Sequence, residues 1–287
     1  MTDGWNQLIT EGYAVIPSAV AVDVCEEALR QIDALKKAHV DIVSKNADEF
    51  GHLYRVVNLH LALDGLKRAF AENHLGLEVC DRFFGEPTSL YTSLYYERGS
   101  EQDLHRDTPY FSTKPAGKYL GVWLALDDVG DENGPLRVTP GSHTLPPIDV
   151  EKMAAEVFPS LDSIPSISMD GWNAYQGAVQ KQARDQGLVQ KNVHVKRGDV
   201  IIWHPEMLHG GAPHIDKARS RRSLVMHVTP VGVPVYHIDV FFNPSKKVPT
   251  KAGWGYEEFR KRKIAKFDQI DFGHEYTIPV NKLRRSL

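Results

Sequence analysis

The chain has 287 residues, of which 42% are hydrophobic and 25% are charged, and these values are ordinary for a folded globular protein. The formal net charge of −3 at pH 7 shows no basic excess, so we expect no binding to nucleic acid. Two cysteines, Cys25 and Cys80, are too few for a disulfide framework or a cysteine-rich zinc site. The sequence has no apolar run of about 18 residues and no signal-peptide pattern, so we expect a cytoplasmic protein without a membrane span.

The first third of the chain is predicted to be mostly helical. Apolar residues at helical spacing, among them Val20, Val24 and Ala28, favour one long helix with Ser18 as its N-cap. The predicted elements of this part are a helix at 5–11, a strand at 12–17, and helices at 19–37, 63–73 and 75–84. We therefore expect a helical N-terminal part that covers residues 1–87.

From Thr88 onward the sequence is typical of β-structure. Short runs rich in β-branched and aromatic residues alternate with turns that contain Gly, Pro and Asp. Strands are predicted at 89–96, 118–126, 135–138, 193–195, 200–204 and 221–229, with a strand pair within 233–242 and a helix at 150–157. Short strands that follow a set of helices favour a β-sandwich or barrel braced by those helices.

Two stretches depart from this strand pattern. Residues 144–192 have few strand signals and form a predicted insertion, and long insertions of this kind often cover a site. Residues 244–287 form a C-terminal extension, in which we predict a basic helix at 256–266. No linker stands out, so we predict a single domain over 1–287, with its core at 88–243.

The motif His105-Arg106-Asp107 carries the strongest chemical signal in the sequence. Two residues that are two positions apart on an extended segment point to the same side. An imidazole nitrogen of His105 and a carboxylate oxygen of Asp107 would then lie close enough to bind one metal ion. With a second, distant histidine they would form the two-histidine, one-carboxylate ligand set of non-haem Fe(II) oxygenases.

Spacing alone does not single out this motif, because the chain contains four His-x-Asp triplets. The other three begin at His39, His214 and His237. The first lies at a predicted helix end, where residues i and i+2 do not face the same way. The second lies in a polar loop, and the third lies inside a predicted strand. The triplet at His105 is the one that lies at a strand end, between a turn and a proline.

The distal histidine is expected at the end of a later strand. His209 fits this position best, because the run from Asp199 leads into it and two glycines follow it, while His204 remains a rival. Further on, Arg221 and Ser223 share a strand face. An arginine fork and a hydroxyl form a good receptor for a carboxylate such as that of 2-oxoglutarate, whose other end would chelate the iron.

Taken together, these motifs resemble the phytanoyl-CoA dioxygenase family of Fe(II)- and 2-oxoglutarate-dependent oxygenases. The resemblance spans roughly residues 10 to 230, and the segment 133–143 is its most specific part. The matching segments are Gly12-Tyr13-Ala14-Val15-Ile16, His105-Arg106-Asp107, Trp123, the run from Asn133 to His143, Gly198-Asp199, His209-Gly210 and Arg221-Arg222-Ser223.

The resemblance implies a mainly β fold, with a double-stranded β-helix (a jelly-roll, cupin-like core) and α-helices packed outside it. It implies that His105, Asp107 and His209 are the iron ligands and that Arg221 anchors 2-oxoglutarate, with Ser223 as a further contact. In this family Trp123 would lie beside the cosubstrate. The sequence fits equally well with Trp123 as a buried aromatic residue of the core.

The activity implied by the resemblance is hydroxylation of an unactivated C–H bond, with Fe(II), 2-oxoglutarate and O2 as cofactor and cosubstrates and with succinate and CO2 as products. A small natural-product or amino-acid-like molecule is the expected substrate, and a homo-oligomer is compatible with the sequence. The intact Asp107 argues against halogenation, because related halogenases have a small residue there. The alternatives are another cupin-type metalloenzyme or a non-catalytic jelly-roll binding protein. A protein kinase is excluded because Ser112 stands where the kinase motif requires asparagine.

Overall fold

A computed structural model describes residues 2–273 and 276–284 of the chain. Its α-helices are α1 Thr2–Glu11, α2 Val22–Ala38, α3 Val40–Val43, α4 Asp64–Ala71, α5 His74–Phe84, α6 Val150–Val157, α7 Met169–Asp185, α8 Ile238–Phe241 and α9 Val280–Arg284. Its strands are β1 Tyr13–Ile16, β2 Val56–Val57, β3 Thr88–Tyr96, β4 Ser112–Thr113, β5 Leu120–Ala125, β6 Leu136–Val138, β7 Lys191–Val193, β8 Val200–Trp203, β9 His209–Gly211, β10 Ser223–Pro230, β11 Val235–Tyr236, β12 Tyr256–Phe259, β13 Arg262–Ala265, β14 Gln269–Asp271 and β15 Thr277–Pro279.

A large and mostly antiparallel sheet forms the centre of the molecule. Its strands follow the order β1-β8-β5-β10-β3-β2-β14-β15, and the hairpin β12–β13 joins it by pairing β13 in parallel with β3. A second sheet of three antiparallel strands has the order β7-β6-β9. The N-terminal part therefore contributes two strands, β1 and β2, to the large sheet, and the C-terminal extension contributes four.

The central strands of the large sheet are buried on both faces, which explains why their sequences are almost continuously apolar. Successive side chains of a strand point to opposite faces. In β5, Val122 and Leu124 pack toward the N-terminal helices, whereas Trp123 packs in the core on the side of the small sheet. The side chains of strand β8 alternate in the same way: Ile202 packs on the side of the N-terminal helices, and Ile201 packs on the side of the small sheet. The candidate metal site lies on this second face of the large sheet, the side of the small sheet.

The helix α2 covers the first face of the sheet, as its sequence predicts. Its buried residues recur at helical spacing and join the same core as the large sheet. The helix begins at Val22 rather than directly after Ser18, because Ser18 has a φ of 50° and Ala21 is the N-cap. None of the helices in the described part of the chain has the length and hydrophobicity of a transmembrane span.

The prediction of a mainly β chain is too narrow, because helix makes up 34% of the structure and strand makes up 23%. Much of the additional helix lies in the insertion, where α7 accompanies the predicted α6. The sequence of α7 contains Gly171 and Gly177 and many polar residues, so helix propensity gives only a weak signal for this helix. Its apolar side instead packs in a third core cluster with α6 and with residues near β9 and α8.

Two local predictions in the C-terminal part are wrong. Residues 256–266 form the hairpin β12–β13 instead of a basic helix, and the turn residues Arg260 and Lys261 both have positive φ. The tertiary pairing of β13 with β3 outweighs the local preference for helix in this segment. The segment 233–242 forms only the short strand β11 and the helix α8, rather than a pair of strands.

Candidate metal centre

The backbone brings the two halves of the predicted metal motif together as neighbouring extended segments. The His105 N–H donates to the carbonyl of His209 at 2.8 Å, and the His209 N–H donates back to the carbonyl of His105 at 3.0 Å. The two histidines are thus an antiparallel pair, which puts their side chains on the same face. The ring centroids are 4.5 Å apart.

The glycines after His209 are required by this close approach of two chains. A Cβ at Gly210 would lie 2.6 Å from the Gln102 carbonyl oxygen, and a Cβ at Gly211 would lie 2.7 Å from the backbone nitrogen of Glu101. Both contacts are with backbone atoms, which cannot move without displacing the segment that leads to His105. The Gly-Gly pair therefore allows β9 to lie beside the metal-binding segment.

The side chains of His105, Asp107 and His209 form one buried cluster whose ligand atoms all lie within 4.8 Å of one another. His105 Nε2 is 3.5 Å from Asp107 Oδ1, and His209 Nε2 is 3.5 Å from Asp107 Oδ2. The Nδ1 atoms face carbonyl oxygens instead, that of Asp103 at 2.7 Å and that of Met207 at 3.1 Å. A proton held on Nδ1 leaves the Nε2 lone pair free to bind a metal ion.

Two further side chains fix the orientation of the Asp107 carboxylate. The Tyr119 hydroxyl donates to Asp107 Oδ2 at 2.7 Å, and the Trp203 indole N–H donates to the same oxygen at 3.0 Å. Tyr119 lies directly before β5 and Trp203 ends β8, so the large sheet holds the carboxylate in place. This arrangement matches the usual pattern in which outer hydrogen bonds orient a metal-binding carboxylate.

The ionisation states of the cluster suit a divalent metal. Burial lowers the pKa of His209 to about 4, although Asp107 acts in the opposite direction, so the imidazole is neutral at pH 7. Burial by itself would raise the pKa of Asp107, but the adjacent imidazoles of His209 and His105 hold it well below its ordinary value. A neutral imidazole and an ionised carboxylate are the forms that bind metal ions.

Arg221 lies in the same cavity with its charge unpaired. Its side chain is only 3% exposed, and burial lowers its pKa to about 10, which leaves it charged at neutral pH. In the part of the chain that the structure describes, the guanidinium makes one hydrogen bond, from Nη1 to Ser223 Oγ at 3.4 Å, and no carboxylate pairs with it. The guanidinium also lies over the Trp123 ring, 5.0 Å from its centroid. A buried and uncompensated charge is costly unless a bound anion neutralises it.

The neighbouring Arg222 differs from Arg221, because its charge is paired with a carboxylate. Its guanidinium forms a fork with Asp127, with distances of 2.6 Å and 3.0 Å to Asp127 Oδ1. The alternation of a strand thus sends Arg221 into the cavity and Arg222 away from it, as the shared face of Arg221 and Ser223 predicts.

The remaining candidates from the sequence lie outside the cluster. The Nδ1 atom of His204 accepts a hydrogen bond from the Glu206 N–H at 3.1 Å, and its ring packs against His143 and Phe83. The nitrogens of His214 contact the Gly99 N–H and the Arg219 carbonyl oxygen. His237 Nδ1 contacts the carbonyl oxygen of Tyr110, and His39 caps the C-terminal end of α2.

The sequence does not single out most of the other residues that line the cavity. The cavity that contains the three metal-site residues, Trp123 and Arg221 is also lined by Leu94, Tyr96, Ser100, Gln102, Leu136, Trp203, Gly210, Val225 and His227. Val225 and His227 continue the alternate positions that begin at Arg221 and Ser223, so the period of two could have identified them. The sequence pattern does not indicate that Tyr119 and Trp203 belong to the site, because aromatic residues are common in strands.

The family is decided by comparison with known proteins. A model of the family described as phytanoyl-CoA dioxygenase (PhyH) matches residues 9–223, which is most of the chain. The chain belongs to the phytanoyl-CoA dioxygenase family. This confirms the resemblance inferred from the motifs, and the matched region contains all six of the predicted site residues.

Two relatives from the phytanoyl-CoA dioxygenase family show the level of sequence similarity. Phytanoyl-CoA dioxygenase domain-containing protein 1 of Bos taurus is 27% identical over 210 residues, which are 71% of this chain and 65% of that protein. The peroxisomal phytanoyl-CoA dioxygenase of Homo sapiens is 25% identical over 151 residues, which are 50% of this chain and 37% of that protein. The match thus spans less than two thirds of either relative.

Solved structures of three proteins, the epimerase SnoN, HygX and the carbocyclase SnoK, share the fold of this chain. The epimerase SnoN, solved with Fe3+, alpha ketoglutarate and nogalamycin RO, has a TM-score of 0.59 at 17% identity, over 91% of this chain and 96% of SnoN. HygX of Streptomyces hygroscopicus, solved with nickel and 2-oxoglutarate, has a TM-score of 0.53 at 16% identity, over 80% of this chain and 87% of HygX. The carbocyclase SnoK has a TM-score of 0.58 at 17% identity, over 89% and 94% of the two chains.

Proposed function

We propose that this protein is an Fe(II)- and 2-oxoglutarate-dependent dioxygenase in which His105, Asp107 and His209 hold the iron. The observation that carries the proposal is the pairing of two complementary sites in one cavity. Three metal-binding groups converge in it, and a buried arginine that has no anionic partner among the described residues lies in the same space. Membership of the phytanoyl-CoA dioxygenase family and the fold shared with SnoN support the same function.

The donor set fits iron in kind and in number. Two neutral imidazoles and one carboxylate on one side of an ion leave its other coordination positions for small molecules. The Nδ1 contacts of both histidines and the two donors to Asp107 fix the direction of each ligand before a metal ion binds. The fold neighbours SnoN and HygX were solved with Fe3+ and with nickel, respectively, and both contain the 2-oxoglutarate that we propose here.

The second half of the cavity fits a dicarboxylate. Arg221 offers two parallel N–H donors, and Ser223 Oγ lies beside them. Trp123 provides a flat wall under the guanidinium, and Val225 separates this polar end from His227 on the same strand. One carboxylate of 2-oxoglutarate would pair with Arg221, and its oxo-acid end would then face the metal ligands.

The roles of the protein groups follow from this arrangement. With iron held by His105, Asp107 and His209, the chemistry supplied by the metal, 2-oxoglutarate and O2 would be oxidation of a substrate C–H bond, with succinate and CO2 as coproducts. The protein holds the ligand carboxylate through Tyr119 and Trp203, keeps both imidazoles in the metal-binding tautomer, and anchors the cosubstrate through Arg221. The buried walls exclude water from the reacting groups.

The finer parts of the proposal concern the core and the substrate. We propose that the large sheet and the three-stranded sheet correspond to the two halves of a double-stranded β-helix, since the metal-site residues lie between them. We further propose hydroxylation of a small natural-product or amino-acid-like molecule. SnoN and SnoK are named as an epimerase and a carbocyclase, so a product analysis has to distinguish these outcomes from hydroxylation.

A spectroscopic experiment tests the proposed function without knowledge of the substrate. Anaerobic addition of Fe(II) and then 2-oxoglutarate to the purified protein should give a weak visible charge-transfer band, and admission of O2 should release succinate. A panel of candidate substrates can then be ranked by succinate release and by product mass. A folded protein that gives neither the band nor succinate would contradict the proposal.

Arg221→Ala is expected to raise the apparent KM for 2-oxoglutarate by at least about 30-fold. The loss of one partner from a desolvated, hydrogen-bonded charge pair costs about 2–5 kcal/mol, and about 1.4 kcal/mol corresponds to tenfold in affinity. The measurement is succinate release as a function of 2-oxoglutarate concentration. Arg221→Lys should recover only part of the loss, because lysine retains the charge but not the planar fork.

The matched control for this prediction is Arg222→Ala. Arg222 carries the same charge one residue away, but it pairs with Asp127 outside the cavity. Its removal should leave the KM for 2-oxoglutarate unchanged. Equal effects of the two substitutions, or an unchanged KM in Arg221→Ala, would exclude Arg221 as the anchor.

A further inference from the structure

The metal-binding segment 104–107 is a short extended stretch rather than a regular strand, and it forms a single β-bridge on one of its two edges. On one edge, the N–H and carbonyl of His105 pair with His209, as described above. In an extended chain, the N–H and carbonyl groups of the next residue point to the opposite edge. The backbone groups of Arg106 therefore need a different partner, and an unsatisfied buried peptide group would be costly.

Side chains of helix α7 occupy this second edge. The Arg106 N–H donates to Gln176 Oε1 at 2.8 Å, and Gln176 Nε2 donates to the Arg106 carbonyl oxygen at 2.9 Å. One turn further along the helix, Gln180 Nε2 donates to the Leu104 carbonyl oxygen at 2.6 Å. The carboxamide of Gln176 thus offers one acceptor and one donor, which is the pattern that a residue of a neighbouring β-strand would offer.

The same face of α7 also contacts a metal-site ring. Trp172, Gln176 and Gln180 are spaced by four residues, so they lie on one side of the helix. The Trp172 ring centroid lies 5.5 Å from that of His105. Gln176 is only 5% exposed, so water does not compete effectively for its two hydrogen bonds.

The helix is held in place independently of Gln176. Tyr175, Val179 and Ala183 are buried in an apolar cluster with Leu208 and Phe242. The insertion therefore does not depend on the glutamine for its position. Its contact with the metal-binding segment is buried and hydrogen-bonded.

We propose that Gln176 is a positioning residue, which sets the direction of His105 and Asp107 by fixing the peptide groups between them. This role rests on the proposed function of the three residues as a metal site. Because a strand directs its Cβ atoms through its peptide planes, rotation of the Arg106 peptide groups would move the two ligands relative to each other and to His209. A loss of the glutamine contacts should therefore weaken and distort metal binding while the protein remains folded.

The test compares the near-isosteric Gln176→Met with the wild-type protein. Methionine retains the length and most of the volume of the side chain but forms neither of the two hydrogen bonds. With Co2+ as the probe, we expect the dissociation constant to rise about tenfold, the lower end of the effect of outer groups on metal sites. The visible d–d spectrum of bound Co2+ should also change, because it reports the ligand geometry. In the metal-free protein, the Arg106 amide should exchange its hydrogen faster.

The matched control is Gln182→Met on the same helix. The Oε1 atom of Gln182 has no hydrogen-bond partner among the described residues, so this substitution should change neither Co2+ binding nor exchange at Arg106. A purely structural role of Gln176 would lower the thermal midpoint but leave Co2+ affinity and spectrum unchanged at 20–25 °C, and that result would overturn the proposal. Failure of the wild-type protein to bind Co2+ would instead overturn the proposed function.

Discussion

Asp107→Ala is expected to abolish 2-oxoglutarate decarboxylation, with a loss of at least about 1,000-fold in rate. Outer groups that only orient a metal ligand are worth about 10- to 100-fold, so removal of the central ligand should exceed that range. Asp107 is the residue whose two oxygens approach both histidines, and no other carboxylate belongs to the ligand cluster found among the described residues. The measurement is succinate release under saturating Fe(II), with circular dichroism to establish that the variant is folded.

The control for this substitution is Asp239→Ala, which changes the aspartate of another His-x-Asp triplet. Asp239 pairs with Lys246 at 2.8 Å and lies outside the cavity. The Asp239→Ala variant should retain the wild-type rate of 2-oxoglutarate decarboxylation. Retention of decarboxylation within about tenfold of the wild-type rate by folded Asp107→Ala would contradict the ligand assignment, whatever the control shows.

Gly121→Ala is expected to destabilise the protein by about 2–3 kcal/mol, at the upper end of the usual cost of overpacking a core. A Cβ at Gly121 would overlap the indole ring of Trp203, which faces it across the paired strands β5 and β8. The indole is rigid and almost fully buried, so it cannot move aside cheaply. Its displacement would also break the hydrogen bond to Asp107, and metal affinity should fall together with stability.

Urea unfolding and Co2+ titration measure the two effects of Gly121→Ala separately. Gly130→Ala is the matched control, because a Cβ there meets no atom within 4 Å and the backbone φ of −136° suits alanine. That control should stay within about 0.5 kcal/mol of the wild-type stability. A Gly121→Ala variant with wild-type stability and wild-type Co2+ affinity would show that Trp203 does not hold the carboxylate.

The parts of the site that the sequence predicts are those carried by strands. The period of two puts His105 with Asp107 and Arg221 with Ser223, and these pairs share a face in the structure. The choice of His209 over His204 gives the residue that lies in the cluster, but the expected strand end is wrong, because His209 begins β9 and His204 directly follows β8. The two side-chain pairs depend on local chain geometry, which a sequence pattern records directly.

The parts that the sequence does not predict depend on contacts between distant segments. Gln176 lies 70 positions from Arg106, and its role arises only because α7 packs beside the edge of segment 104–107. Contacts of the same long-range kind surround Arg106, the residue between two of the predicted ligands. In the structure it is buried, with an ion pair to Glu206 at 2.7 Å and a hydrogen bond from Nη2 to the Ser142 carbonyl oxygen at 2.6 Å.

These contacts of Arg106 have a consequence for the metal site. Glu206 lies in the loop that precedes His209, and Thr108 also donates to it at 3.0 Å. The segment that carries His105 and Asp107 is therefore tied to the segment that carries His209 on the side away from the cavity. Together with the backbone pairing of the two histidines, this arrangement holds the ligands in position before a metal ion binds.

The most direct test of the iron assignment is a crystal structure of the protein with bound Fe(II), obtained without oxygen, with anomalous data collected at the iron absorption edge. We expect one strong anomalous peak, bonded to the Nε2 atoms of His105 and His209 and to the carboxylate of Asp107. A folded protein whose iron peak lies elsewhere, or that binds no iron under these conditions, would contradict the assignment.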